Sequence, residues 1–459
     1  MPYERYGTEL VDPAPLGRPL DLYPSGRRVL NRFMKSSMAE SLATWDPKAP
    51  HLRGIPTDES IELYRRWGEG GWGMILTGNM DISFDSMDDL GDMIITTDCP
   101  MSGPRFEKFQ ELAKAAKAHG SLIIGQLSHP GRQVQARLNP EAISASDVQL
   151  EPKMGMSFGK PHAASKAEID EIVEGFAYAA EYLDKAGFDG IELHAAHGYI
   201  IAQFLSPRTN KRTDEYGTQT VENRLRFITD IARAIRKRVS PSFVVGAKLN
   251  SVEFQDAGVT PKEAEEVCGG LEQEGFDFVE LSGGNYENFG MKWEKDSTQK
   301  REAYFLKWAK VVSESLPADS KLKMFLVGGI RTVDAMLEIL KTIDGVSFAR
   351  PAAAEPDLPS KVFSGKVTGT IKPVEGNDDI GGRFAVDLGM AKTQLRLTAR
   401  GYQTIDFSDE EVMAHFKKDI DVWWETLVAD GDKLEYIRAP EYTGPVVLAK
   451  SRGSYTYRM

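Results

Sequence analysis

Cysteine is nearly absent from this chain: two residues, Cys99 and Cys268, in 459. Their number and separation build neither a disulfide framework nor a thiolate cluster, which suits a reducing compartment. No apolar run reaches the roughly 20 residues of a membrane-spanning helix. The segment MPYERYGTELVDPAPLG shows no basic-then-apolar leader pattern, and the final Tyr-Arg-Met is no known address signal. Positive charge is the minority, with 56 Lys and Arg against 68 Asp and Glu and a net charge of −12. That balance argues against a nucleic-acid footprint and against attraction to anionic membranes. The expectation is a cytoplasmic protein with small-molecule partners, as monomer or homodimer. Histidine is scarce too, seven in all, so two of them within one short stretch are informative.

What the chain does have is rhythm. Apolar runs recur at Phe33–Met38, Gly73–Gly78, Ser121–Leu127, Phe188–Leu193, Phe243–Leu249, Phe276–Ser282, Met324–Gly329 and Asp344–Arg350. Val, Ile, Leu and Phe fill them without clean alternation, the pattern of parallel strands buried on both faces. The segments between them read as helices. One is capped by Ser165, carries Ile169, Ile172, Phe176, Ala180 and Leu183 on one face, and stops at Gly187. Another opens at Thr260-Pro261 and ends near Gly275, and a third is capped by Thr332. Eight strand–helix units over about 350 residues predict a closed (β/α)8 TIM barrel across residues 1–364, with a doubly wound open sheet as the alternative. After about Gly365 the rhythm stops. A helical piece near Ala385–Arg400 and a stronger helix from Ser408, with Glu411 at capping-box spacing, predict a helical and irregular C-terminal extension over 365–459 packed on the barrel.

In a barrel, functional groups come from strand ends and the loops that follow them. The richest such place is ELHAAHGYIIAQFLSPRTNKRTDEYGTQTVENR, Glu192–Arg224, which sets His194, His197 and Tyr199 within six residues. Neutral imidazoles donate hydrogen bonds to a carbonyl oxygen, and a tyrosine gives a proton to a neighbouring carbon. The plainer reading is a buried structural histidine and a core tyrosine. Ser36, Ser37, Thr77, Asn79, Gln126, His129, Lys248 and Asn250 occupy comparable positions. After the seventh run, Gly328-Gly329 opens onto the helix capped by Thr332, and Arg350 follows the eighth. Backbone N–H groups and a guanidinium so placed take a phosphate. No metal is expected: His194-x-x-His197 has no acidic third ligand close by and lacks the glutamate of H-E-x-x-H. GEGGWG, Gly68–Gly73, satisfies G-x-G-x-x-G but precedes a strand. The dinucleotide fingerprint follows one, so this is read as a helix-to-strand turn.

These motifs resemble the Old Yellow Enzyme family of FMN-dependent ene-reductases, over roughly residues 15–365. The most specific segment is HAAHGYIIAQFLSPRTNKRTDEYGTQTVENRLRF. NRFMKSSMAE, GQLSHPGRQ, AKLNSVEF, VGGIRT and FARP support it in the family's order, and the likeness is to the branch common among fungi. The resemblance implies FMN lying across the strand ends, with NADH or NADPH as reductant. Ser36, Ser37, Met38 and Ala39 would run beside the flavin, Gly78 would approach its ring, and Gln126 would bond its pyrimidine portion. Lys248 would bring positive charge near N1 and C2=O. Gly328, Gly329, Ala349 and Arg350 would hold the phosphate. His194 and His197 would bind a substrate carbonyl and Tyr199 would donate the proton, in the reduction of an enone-like small molecule. The alternatives are a flavin-dependent dehydrogenase or demethylase of an amine or cyclic substrate, and a flavin-free phosphate-binding lyase or isomerase. The chain departs from the family at Ala39, usually threonine or cysteine, at Lys248, more often arginine, and at Ser37, commonly proline. The extension has no counterpart in the core family pattern, and the iron–sulfur branch is excluded for want of cysteines. Alanine at 39 cannot donate to flavin O4, so a reduced flavin less stabilised than in typical members is expected.

Overall fold

The computed structural model describes residues 3–7, 9–152, 156–252, 261–283, 310, 312–314, 316–317, 319–374, 383–435 and 439–449. Eight parallel strands close on themselves: β1 (Phe33–Lys35), β2 (Met74–Asp81), β3 (Leu122–Ser128), β4 (Gly190–Ala195), β5 (Val244–Val252), β6 (Phe278–Gly283), β7 (Lys323–Val327) and β8 (Gly345–Phe348). Each pairs with its neighbours in chain order, and β8 returns to β1 with Val346 beside Phe33 and Phe348 beside Lys35. That last pairing decides for the barrel, since an open sheet leaves both edges unpaired. Every described residue of β2, β3 and β4 is buried, which is why those runs show no alternation.

Helices wrap the outside: α1 (Asp58–Glu69), α2 (Pro104–Lys117), α3 (Lys166–Ala186), α4 (Ile200–Leu205), α5 (Val221–Arg236), α6 (Pro261–Gln273), α7 (Val333–Ile339), α8 (Arg350–Ala354) and α9 (Leu358–Phe363). Ser165 caps α3 in a reciprocal capping box with Glu168, and Thr332 caps α7 through the Ala335 N–H. Thr260 lies outside the described residues, but α6 begins at Pro261 as its spacing predicts. Gly68–Gly73 spans the end of α1 and the turn into β2.

The bottom of the barrel is closed twice. A hairpin of Leu20–Asp21 and Arg28–Val29 puts Leu20, Leu22 and Val29 against Met34, Met74, Ile124, Val244, Phe278 and Phe325 inside the barrel. Carboxylates stitch the strands just above it. Asp189, Asp277 and Asp344 each precede an even-numbered strand and accept a backbone N–H from the odd strand before it: Ile123 at 3.0 Å, Val245 at 2.9 Å and Met324 at 3.0 Å.

Beyond residue 365 the described elements are α10 (Arg383–Ala399) and α11 (Glu410–Asp430). α10 has two working faces. Ala391, Leu395 and Ala399 belong to the main core, while Val386 and Leu397 pack with Phe407, Phe416 and Ile420 in a separate cluster. The predicted Ser408 cap is corrected. Asp409 accepts the N–H groups of Glu411 and Val412 instead, because the Ser408 hydroxyl is already engaged with Asp406 and the Glu4 N–H.

Candidate active site

Strand register brings the distant candidates together. His194, Lys248 and Glu280 are side by side on β4, β5 and β6, and Gln126 on β3 lies beside Glu192 on β4. The Lys248 ammonium is buried, donates to Ser36 Oγ at 3.1 Å and Ser37 Oγ at 3.0 Å, and lies 2.7 Å from Glu280 Oε2. Gln126 donates to Ser37 Oγ at 2.7 Å and to Glu192 Oε1 at 3.0 Å. Ser347 donates to the other Glu280 oxygen. Four predicted residues, Ser36, Ser37, Gln126 and Lys248, thus share one buried network. Burial pushes the Glu192 carboxyl well above the usual carboxylate range, with Glu280 reinforcing and Lys248 opposing. Lys248 thus meets the Glu280 side chain directly, while Gln126 meets that of Glu192, whose neutral form burial favours.

At the mouth of β4 the ring centroids of His194 and His197 are 5.1 Å apart, and those of His194 and Tyr199 4.3 Å, edge to face. All three side chains are buried or nearly so. Burial holds His197 down at about 3, and Lys248 adds to it; burial, His197 and Lys248 push His194 well below the ordinary imidazole value. Both rings are neutral at physiological pH, and the hydrogen bonds select their tautomers. His194 Nδ1 accepts the Ala196 N–H at 3.4 Å, so its proton sits on Nε2 and points at His197 Nδ1, 3.4 Å away. His197 then carries its proton on Nε2, which donates to Ser282 Oγ at 3.0 Å. The backbone at His197 is left-handed, φ +56°, and its N–H donates to Asn250 Oδ1 at 3.2 Å. Tyr199 is the residue before α4, whose first N–H donates to the His129 carbonyl at 3.0 Å. His129 itself is buried, held down at about 4, and accepts the Gly131 N–H, a structural arrangement.

The phosphate candidates lie at the ends of β7 and β8, which pair through Val327 and Ser347. Gly328 and Gly329 have φ of +115° and +69°, conformations that L side chains resist. Ala349 precedes α8 and Arg350 opens it, with its guanidinium paired to Asp387 of α10. Met38 and Ala39 share a cavity with Arg350. Gly78 is required by its protein surroundings, whatever else approaches it. A Cβ there would lie 2.2 Å from the Met38 carbonyl oxygen and 2.3 Å from Glu40 Oε2, so protein alone demands glycine.

The donor set fits FMN. A buried cation and an amide are the kinds of group a pyrimidine edge takes, and a left-handed glycine pair with an arginine on the next strand end are the kinds a phosphate takes. Asn250 Nδ2 is buried with no hydrogen-bond partner among the described residues. Among those residues no group of three or more His, Cys, Asp or Glu side chains is arranged to hold a metal, and no helix is long and apolar enough to cross a membrane. Sequence reasoning missed Glu192 and Glu280, although a lone carboxylate inside the buried runs IEL and VEL is a signal. Ser282 ends its predicted strand and the strand-end rule reaches it. Asp387 had no signal, because only packing brings α10 to Arg350.

The chain matches the NADH:flavin oxidoreductase / NADH oxidase family over residues 18–368. It is 43% identical over 443 residues to the NADH-dependent flavin oxidoreductase nadA of Aspergillus parasiticus, covering 95% of this chain and 97% of that relative. In fold it is similar to morphinone reductase (TM-score 0.62, 22% identity, 82% of this chain and 96% of that one). The old yellow enzyme homologue from Zymomonas mobilis gives a TM-score of 0.61 at 22% identity, over 77% of this chain and 94% of the other.

Proposed function

Because the chain belongs to the NADH:flavin oxidoreductase / NADH oxidase family, we propose that it is an FMN-dependent reductase of α,β-unsaturated carbonyl compounds that draws its electrons from NADH. It is a flavin oxidoreductase of the Old Yellow Enzyme type; the choice of an activated C=C bond as substrate is our reading. The observation that carries it is the His194–His197 pair, with His194 edge to face with Tyr199 and one strand away from a buried Lys248.

When bound, FMN supplies the hydride, taken from NADH and passed to the β-carbon of the alkene. The chain's side chains do the rest. Gly328, Gly329, Ala349 and Arg350 would hold the phosphate, and Ser36, Ser37, Met38, Ala39, Gly78 and Gln126 would hold the ring. Lys248, 2.7 Å from Glu280, would place its amine beside the ring and favour negative charge there. The substrate oxygen takes the N–H that His194 otherwise gives to His197, and the one that His197 gives to Ser282. Negative charge builds on that oxygen as hydride arrives, and each preorganised donor is worth about 3 kcal/mol in the transition state. Tyr199 gives its phenolic proton to the α-carbon and regains one from water.

The two half-reactions test this separately. With Tyr199→Phe, anaerobic reduction of bound flavin by NADH keeps its rate, while reoxidation by 2-cyclohexenone slows on the order of a hundredfold. Equal slowing of both half-reactions would show that Tyr199 is not the proton donor.

A further inference from the structure

The family match ends at residue 368, yet α10 packs on α1 and α8 and enters the main core. The extension also grips four of the loops at the C-terminal end of the barrel. Trp45 after β1 donates to the Leu434 carbonyl at 2.7 Å. Asp89 after β2 pairs with Lys392, which also donates to Ser41 Oγ at 2.9 Å. Arg137 after β3 pairs with Asp430 at 3.2 Å and donates to the Gly431 carbonyl at 2.7 Å. Arg350 after β8 pairs with Asp387.

Between α10 and the barrel lies a cavity of about 220 Å³. Met38, Ala39 and Arg350 form one wall, and Leu388, Ala391 and Leu395, at helical spacing on α10, form the other. Its walls are apolar; the charges belong to Arg350, Asp387 and Lys392, which are paired. Alanine on both sides, Ala39 and Ala391, leaves the gap its width.

We propose that α10 is part of the cofactor site: it covers the apolar, dimethyl-substituted edge of FMN, the one portion of that molecule an apolar cavity suits, and Asp387 sets the direction of the Arg350 guanidinium. This rests on the reading that Met38, Ala39 and Arg350 contact FMN. The extension then does for the flavin what barrel loops alone leave undone, and excludes water from that edge.

The test is FMN affinity of the full-length chain, deflavinated and titrated by quenching of FMN fluorescence. A cavity accepts added volume better than a packed core does, so Ala391→Trp unfolds close to the parent's temperature in the absence of flavin while its Kd for FMN rises tenfold or more. A folded Ala391→Trp with unchanged Kd overturns the proposal, and Ala391→Leu carries the same test if the larger residue does not fold. Arg350→Ala separates this from the reading beneath it. If Arg350→Ala weakens binding and Ala391→Trp does not, only the role of α10 falls; if neither does, the phosphate placement falls as well. Bound 8-chloro-FMN gives a second readout, since its chlorine lies on the edge in question. Displacement by a thiol is at least tenfold slower than in free 8-chloro-FMN if α10 covers that edge, and equal rates overturn the proposal.

Discussion

His197 occupies a backbone conformation that few non-glycine residues adopt, at a cost on the order of 1–3 kcal/mol. Asn250 holds it there, and the two are 53 positions apart in sequence. Burial of the imidazoles has a consequence for pH. His129 and His197 titrate at about 4 and about 3 in the folded chain, and His194 well below its ordinary value, against 6.5 when unfolded. Between about pH 6.5 and those folded values the unfolded chain binds more protons than the folded one. Stability contributed by these groups is therefore complete above pH 6.5 and is lost as pH falls through that window. The denaturant midpoint drops between pH 7 and pH 5. His197→Asn, which tolerates a left-handed backbone, flattens that slope; an unchanged slope would show that His197 is not buried neutral. The His–His–Tyr group was legible because its members share one strand end. Asn250 and Ser282 also lie at strand ends, but their bonds to His197 were not legible, because contact between separate strands is a matter of register.

Elements are where local pattern works best. The Ser165–Glu168 box and the apolar face of α3 are both written in consecutive residues, and the observed helix, Lys166–Ala186, follows them. Ser165→Ala removes the acceptor for the Glu168 N–H and costs about 1 kcal/mol, measured by chemical denaturation. At the start of α11 the same rule misled. Ser408 and Asp409 are both good caps, and the choice fell to Asp409 because Ser408 is engaged with Asp406 and the N-terminal segment. Intrinsic propensity cannot weigh a bond to Glu4, some 400 residues away.

Closure of the barrel is a property of the whole molecule. Asp277 shows how it is secured: its carboxylate accepts the N–H groups of Ser25 and Val245, each at 2.9 Å, and meets Arg236 at 3.1 Å. It ties the bottom plug, two strands and α5 at one fully buried point. Asp277→Ala leaves those donors without an acceptor and costs on the order of 3 kcal/mol. Equilibrium unfolding reads that loss, and FMN affinity of the folded variant stays at the parent's value because the site lies at the opposite end.

Eight apolar runs separated by helical periodicity determined a parallel strand–helix architecture with its chemistry at the strand ends, and the pairing of β8 with β1 closed it into a barrel. The strand–helix pattern was local: strand burial, caps and turn residues act over a few positions and can be read in order. The tertiary structure decided the rest. It set Glu280 against Lys248, gave His197 to Asn250 and Ser282, and brought Asp387 of α10 to Arg350. Each of those contacts depends on where separate elements pack, and packing is settled by the sum of many weak contacts across the molecule, which no short window of sequence contains.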